Sequence, residues 1–237
     1  MPREETAENS RDLKAVLARL AQVYSSCMTY EDQGVARESM PDEGGQERLS
    51  EDFFTTAFDR TAKQFRYEFR TGSPQVEMDL GCIVWRNGDA VKMWTRLRAR
   101  IETAENLGLA IAGALGNSGE SVFLIPNLLA PGEVGGRGLL DLDDLRVAGN
   151  AKFNNCECLK ISGCYPSASK LTVWVEKETS LILRAEEETA MALQSGPRVH
   201  EIIMGSGPLV TRTIITYSPR VNTAIPAVKF EMLVPGK

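Results

Sequence analysis

The sequence predicts an α+β fold, and three features of the chain support this prediction. An amphipathic helix is expected near the N-terminus, strand-like segments lie on both sides of the chain's centre, and a nearly uncharged, glycine-containing segment separates them at residues 107–129. A helix with one apolar face must lay that face on a larger layer, which the strands provide. The expected order is therefore helix, strands, apolar helical insert and strands.

The length and composition predict one folded domain. The chain has 237 residues, of which 43% are hydrophobic and 25% charged, as in ordinary globular proteins with a substantial core. We expect a disordered tail at residues 1–10 and a single domain at residues 11–237, with the helical insert at about 101–130. The 27 basic and 32 acidic residues give a net charge of −5, which leaves no basic surplus for nucleic acids or anionic membrane surfaces.

The N-terminal helix is predicted at about residues 11–26. Apolar side chains recur there at spacings of three and four, directly after Asn9 and Ser10, which are good N-cap residues. These apolar positions are Leu13, Val16, Leu17, Leu20 and Tyr24. The helix therefore has one face that is suited to packing on a sheet.

The strands of the first half are predicted from alternation. Phe54, Thr56 and Phe58 share one face of an extended segment, and in FRYEFR the aromatic side chains alternate with charged ones. A period of two places these aromatics on one face of a half-buried strand. Asn87-Gly88 separates two β-prone segments in CIVWRNGDAVKMW, which predicts a hairpin with a type I′ turn.

The apolar insert is predicted as two short helices, because glycines interrupt it near residues 116–119 and Glu120 is its only charged residue. The preceding TRLRARIETAEN is compatible with a helix. Four further strands are expected in NCECLKIS, KLTVWVEK, SLILRAEEE and TRTIITYS, with KETS as a turn. The ending SPRVNTAIPAVKFEML contains two prolines and suits an edge or an extended tail.

These segments, taken in order, resemble a known family. VYSSCMTYEDQG, FRYEFR, VWRNGDAVKMW, the apolar insert, LTVWVEKETSLILR and YSPRVNTAIPAVKF resemble the LolA/LolB-like superfamily of outer-membrane lipoprotein carrier and sorting proteins, in its larger exported bacterial branch. The resemblance covers about residues 13–230. It implies an open, unclosed antiparallel β-barrel, or half-barrel, around an apolar cavity that the N-terminal helix and the apolar helices cover.

The resemblance also implies a function. Its members bind lipids or lipoproteins or sense misfolded lipoproteins, and they are not enzymes, so we expect non-catalytic binding of a lipid, an acyl chain or a lipidated protein. The alternative is an envelope protein-interaction or stress-sensor module with a filled core. The implied compartment is the periplasm or cell envelope, after removal of a signal peptide. The polar start MPREETAENS and the lack of a run of about 20 apolar residues leave the cytoplasm as the alternative and predict no transmembrane segment.

The expected ligand site consists of apolar side chains around the cavity, some of them on strands and some on the apolar insert. An ordinary packed core is the competing interpretation for each one of them. No cofactor and no metal is expected, and the oligomeric state is left open. The predicted site residues are Phe65, Tyr67, Phe69, Trp85, Trp94, Leu107, Ile111, Leu115, Leu124, Ile125, Leu128 and Trp174.

The five cysteines and the single histidine suggest no catalytic or metal chemistry. The spacing of Cys156, Cys158 and Cys164 is not a zinc-site pattern. A disulfide from Cys27 to Cys158 or Cys156 is our hypothesis, since it would join the first helix to the sheet. The sequences around Ser118 and Ser206 match the hydrolase motif G-x-S-x-G only in part, with His200 as the one possible imidazole base.

A calcium site is disfavoured in the same way. The acidic residues Asp141, Asp143 and Asp144 lack the glycine and the terminal glutamate of a calcium loop. We therefore predict a solvated loop or the start of a helix at this point of the chain.

Overall fold

The structure is a computed structural model, and it describes residues 3–41, 46–72, 79–166, 169–190 and 210–232. Three α-helices and twelve strands are defined in these residues. The helices are α1 (Arg3–Ser26), α2 (Leu107–Ser118) and α3 (Leu124–Leu129). The strands are β1 (Thr29–Pro41), β2 (Glu47–Asp59), β3 (Gln64–Thr71), β4 (Asp79–Asn87), β5 (Ala90–Thr95), β6 (Ile101–Ala104), β7 (Asp143–Phe153), β8 (Cys156–Cys164), β9 (Lys170–Glu176), β10 (Ile182–Ala190), β11 (Val210–Tyr217) and β12 (Arg220–Val221).

All twelve strands belong to one antiparallel sheet. Its order is β6-β5-β4-β3-β2-β1-β11-β10-β9-β8-β7, with β12 added beside β1. Within the described residues β6 and β7 form the two edges and do not pair with each other, so the sheet is not closed into a barrel. The predicted α+β fold with an open antiparallel half-barrel is confirmed.

The main hydrophobic core lies on one face of this sheet, which we call the inner face. Alternate residues of the strands point to it, and α1, α2 and α3 cover it. The two short helices α2 and α3 follow from the break that the glycines predict, and a 3-10 turn at Gly119–Val122 joins them. The opposite, outer face carries a second and smaller core at β4 and β5, formed by Leu80, Ile83 and Trp94.

Several boundaries differ from the predictions. Helix α1 begins at Arg3 rather than at residue 11, because most of residues 3–8 are good helix formers and extend the helix through the predicted tail. Residues 101–104 form strand β6 instead of opening the helical insert, since they hydrogen-bond to β5 from Val91 to Trp94. The hairpin loop is Gly88-Asp89, with φ +61° at Gly88. Glycine at the first loop position fits a type II′ turn, not the predicted type I′ turn.

The acidic segment at residues 141–144 also differs. Asp143 and Asp144 are exposed as predicted, but they begin strand β7, whereas Asp141 ends a short 3-10 helix at Leu139–Asp141. The strand is recognisable in hindsight because Leu145, Val147 and Phe153 alternate with exposed residues. Two bulge-like register shifts interrupt its pairing with β8, and this irregularity weakens the sequence pattern.

Gly34 has a structural role in the middle of β1, where it pairs with Phe54 of β2 and Tyr217 of β11. The ring of Phe54 lies directly over it, so a Cβ at this position would overlap the ring. We expect Gly34→Ala to lower the free energy of unfolding by about 1–3 kcal/mol, measured by urea denaturation. Gly132→Ala is the control, because a Cβ there has open space; equal stability of the two variants would contradict this packing.

Candidate ligand-binding site

The structure brings together the predicted site residues that lie on β3 and on the apolar insert. Eight of them are buried in the inner-face core, and Leu115 is partly buried against it. Side chains of α2 and α3 interdigitate with those of the strands, as in ordinary close-packed protein interiors. The buried eight are Phe65, Tyr67, Phe69, Leu107, Ile111, Leu124, Ile125 and Leu128.

The prediction that the tryptophans face the same core is wrong. Trp94 packs with Leu80 and Ile83 on the outer face, and Trp85 lies beside them, where its Nε1 donates a hydrogen bond to the carbonyl of Phe230. Trp174 is also an outer-face residue, because its neighbours Val173 and Val175 point into the inner core. Its ring is covered by the cations of two neighbouring strands instead, Lys160 and Arg184, at 4.9 and 4.8 Å.

One free space on the inner face lies beneath α1. A groove of about 360 Å³ separates α1 from β7, β8 and β9, within the size range of small-molecule sites. Under α3, by contrast, a cavity beside Leu124 and Ile215 has only about 10 Å³, at most enough for one water. The apolar lining of the groove, which we call the α1 groove, is formed by Ala15, Val16, Val147, Leu159 and Val175.

The rim of the α1 groove is polar. Arg19 and Lys177 contribute positive charge and Glu176 negative charge, and Asn150 and Ser180 complete the rim. Arg19 also fixes the helix against the β9–β10 turn, because its Nη2 donates a 2.7 Å hydrogen bond to the carbonyl of Glu178. An apolar floor with a charged rim suits a molecule that has both an apolar chain and a polar end.

Arg60 connects two of the covering helices to the turn between β2 and β3. Its Nε donates to the carbonyl of Cys27 at 2.9 Å, and its Nη2 donates to the carbonyls of Tyr24 and Leu129, both at 3.0 Å. Tyr24 and Leu129 lie at the C-terminal ends of α1 and α3, where carbonyls lack partners within the helix. The guanidinium also stacks over Phe58 at 4.9 Å. One side chain thus holds both helix ends in place.

A buried carboxyl lies in the inner-face core next to the end of α1. Asp32 is 1% exposed; its Oδ1 accepts a 2.9 Å hydrogen bond from the Ser218 amide, and its Oδ2 accepts one of 3.0 Å from the Tyr30 hydroxyl. Burial raises the pKa of Asp32 to about 7, although these hydrogen bonds lower it. The carboxyl therefore keeps its proton to a higher pH than an exposed aspartate does.

The hypothesised disulfide is not formed, and all five cysteines are free thiols. The Cys27 Sγ instead points to the carbonyl of Tyr24, at 3.2 Å, and burial raises the pKa of this thiol. Cys158 lies on β8, which is four strands away from β1 in the sheet order. That separation is roughly 19 Å along the sheet, far beyond the reach of a disulfide. The same distance argument applies to Cys156 on β8.

The other predicted chemistries fall partly outside the described residues. His200 and Ser206 lie in residues 191–209, which the structure does not describe. Among the residues that it does describe, no three histidine, cysteine, aspartate or glutamate side chains are grouped so as to hold a metal ion. In the same residues, no helix is long and apolar enough to cross a membrane.

Solved structures resemble this chain over most of its length. They include the lipoprotein LppX of Mycobacterium tuberculosis, with 12% identity, a TM-score of 0.44 and coverage of 91% of this chain and 98% of that one. A LolA superfamily protein of Nitrosomonas europaea has 9% identity, a TM-score of 0.34 and coverage of 92% and 97%. The MucA/MucB complex of Pseudomonas aeruginosa has 12% identity, a TM-score of 0.47 and coverage of 93% and 60%.

One of these solved structures is named as a LolA superfamily protein. Neither a protein-family model nor a curated protein matches the sequence. At these identities and TM-scores the likeness supports no conclusion about a ligand, which has to be inferred from the residues of this chain.

Sequence reasoning missed several residues of the site. The sequence indicates Val16 only as part of an apolar helix face, and Val147 belongs to strand β7, which the sequence pattern does not predict. Arg60 and Asp32 carried no local signal, since each acquires its role from partners on other elements. A charged residue at a strand end is usually solvated, so only the fold reveals these two.

Proposed function

We propose that this protein binds a single acyl chain of a lipid or of a lipidated protein, without catalysis, in the α1 groove. The observation that supports the proposal most directly is the groove of about 360 Å³ with an apolar floor and a charged rim. The compartment that we propose is the one implied by the sequence resemblance, the periplasm or cell envelope.

The position of the groove favours an elongated ligand. It lies near β7, an edge strand of the sheet among the described residues, so a chain reaches it without parting a pair of strands. Val16 and Leu159 are only half-buried although they face the core, which leaves apolar surface that an acyl chain would cover. Each buried methylene contributes about 0.8 kcal/mol, so even part of a chain supplies useful affinity.

The rim favours an amphiphile with an anionic end. Arg19 and Lys177 supply two positive charges against the single negative charge of Glu176. These side chains are flexible and solvated, so we expect them to orient the ligand more than to determine its affinity.

Filling the groove tests the proposal. Ala15→Trp places an indole at a groove-lining position, and we expect the affinity for a fluorescent fatty acid to fall roughly tenfold or more, equivalent to about 1.4 kcal/mol. Ala18→Trp is the matched control, since Ala18 is also an exposed alanine of α1 but does not line the groove. Fluorescence titration measures both variants, and equal affinities would contradict binding in this groove.

A second candidate function is a protein-interaction module with a filled core. It is favoured by the close packing under α2 and α3 and by a groove of about 430 Å³ on the outer face, which Val35, Phe53 and Thr55 help to line. If the wild-type protein binds no fatty acid and no lipid is extracted from it, this candidate replaces the first.

A further inference from the structure

All five tyrosines of the chain lie in the inner-face core. Four of them have identified hydrogen-bond partners: Tyr24 accepts from the Ile182 amide, Tyr30 donates to Asp32, Tyr67 pairs with Ser121, and Tyr165 donates to the carbonyl of Arg137. The hydroxyl of Tyr217 is fully buried and has no hydrogen-bond partner among the described residues. A buried hydroxyl without a hydrogen-bond partner destabilises the folded state, so its presence requires an explanation.

The Tyr217 hydroxyl can donate a hydrogen bond, but no described residue accepts it. Burial, and next the nearby Asp32, raise its pKa well above the ordinary value for tyrosine, so the proton stays on the oxygen. Its ring is held edge-on against Phe54 at 5.7 Å. Phe54 in turn lies over Gly34, and this packing fixes the direction of the ring.

A row of inward-facing residues leads from the α1 groove toward Tyr217. Leu159 on β8 pairs with Val175 on β9, and Val175 pairs with Ile182 on β10. The register of β10 with β11, where Arg184 pairs with Thr216, brings Ile182 level with the end of β11. Two strand spacings, roughly 10 Å, separate Val175 from Tyr217. A chain that extends the groove along this row therefore reaches the hydroxyl.

Tyr24 of α1 contacts the same row of residues at Ile182. Its hydroxyl contacts the Ile182 amide at 3.0 Å, and its ring is 5.8 Å from that of Tyr30. A ligand that extends beyond Val175 has to displace the Tyr24 ring, which lies at the C-terminal end of α1. The row is thus closed by the Tyr24 ring in the described structure.

We propose that the ligand is an oxygenated acyl chain, whose keto or hydroxyl oxygen, partway along the chain, accepts a hydrogen bond from Tyr217. The inference rests on the proposed function, because the chain must first occupy the α1 groove. A plain hydrocarbon chain offers no acceptor and leaves the hydroxyl unpaired. A buried donor of this kind discriminates between otherwise similar ligands, since only one of them satisfies it.

The test compares octadecanoic acid with its 9-oxo, 10-oxo and 12-oxo derivatives, by displacement of a fluorescent fatty acid. In the wild-type protein we expect at least one oxo acid to bind roughly three- to tenfold more tightly than octadecanoic acid, the effect of one hydrogen bond. In Tyr217→Phe the preference is lost while octadecanoic acid binds as before. Tyr165→Phe is the control and keeps the preference.

The outcomes separate this inference from the proposed function. If octadecanoic acid and all of the oxo acids fail to displace the probe, the proposed function fails and the inference with it. If they bind equally, or if the preference persists in Tyr217→Phe, the inference alone is overturned. Tyr217→Phe should fold normally, because it removes a hydroxyl without a partner among the described residues, and an unchanged melting temperature verifies this.

Discussion

Arg60→Ala is expected to lower the free energy of unfolding by about 2–4 kcal/mol, because hydrogen bonds from a charged donor are among the stronger ones in proteins. The substitution leaves the carbonyls of Tyr24, Cys27 and Leu129 without this donor. It also removes a positive charge from the C-terminal ends of α1 and α3, where the helix dipoles favour one. Urea unfolding followed by circular dichroism measures the change.

Two further variants make the test of Arg60 specific. Arg60→Lys should recover only part of the loss, since an ammonium cannot reach three carbonyls with the fixed fork of a guanidinium. Arg37→Ala is the control, because Arg37 is an exposed arginine paired with Glu51, and its loss should cost less than about 1 kcal/mol. If Arg60→Ala and Arg37→Ala are equally stable, Arg60 does not hold the helices.

Asp32 is expected to make stability depend on pH in the direction opposite to most carboxylates. The carboxyl keeps its proton up to a pKa of about 7 in the folded protein, whereas it ionises near 3.9 in the unfolded chain. Between these values the folded state binds more protons, so its stabilising contribution is present at low pH and is lost as the pH rises through about 7. The loss amounts to on the order of 4 kcal/mol.

Asp32→Asn removes this dependence. The amide can accept from Ser218 and donate to Tyr30, and it has no charge to bury. We expect the variant to gain stability relative to the wild-type protein as the pH rises from about 4 to 7, with no further gain above that. Tyr30→Phe, which removes a hydrogen bond that lowers the pKa, should move the midpoint of the wild-type dependence upward. A stability difference that is constant with pH would contradict a raised pKa.

The alternation of apolar and polar residues predicts which face of a strand is buried only where the opposite face is exposed to solvent. In β3 the charged Arg66, Glu68 and Arg70 occupy the outer face, so the inward direction of Phe65, Tyr67 and Phe69 could be read from the sequence. In β4, β5 and β9 apolar side chains occur on both faces, and the tryptophans lie on the outer one. Trp85 and Trp94 belong there to a small apolar patch that includes Met232, and cations cover Trp174. The sequence therefore could not indicate which way the tryptophans point.

The role of the apolar insert, which forms α2 and α3, could be predicted only in part. Apolarity identifies α2 and α3 as covering helices, but it does not distinguish a helix packed on side chains from one that covers a space. The α1 groove depends on the distance between α1 and β7, β8 and β9, which arises only from the assembled fold. The roles of Arg60 and Tyr217 could not be predicted, because they depend on residues from other elements that surround these two side chains in the folded protein.

Photo-crosslinking with a diazirine-labelled fatty acid, followed by peptide mass spectrometry, tests the central claim most directly. Binding in the α1 groove predicts adducts on α1 around Val16 and on β8 or β9 around Leu159 and Val175, and an excess of unlabelled fatty acid should abolish them. Adducts confined to the outer-face groove at Val35 and Phe53, or adducts that unlabelled fatty acid does not reduce, would contradict the claim.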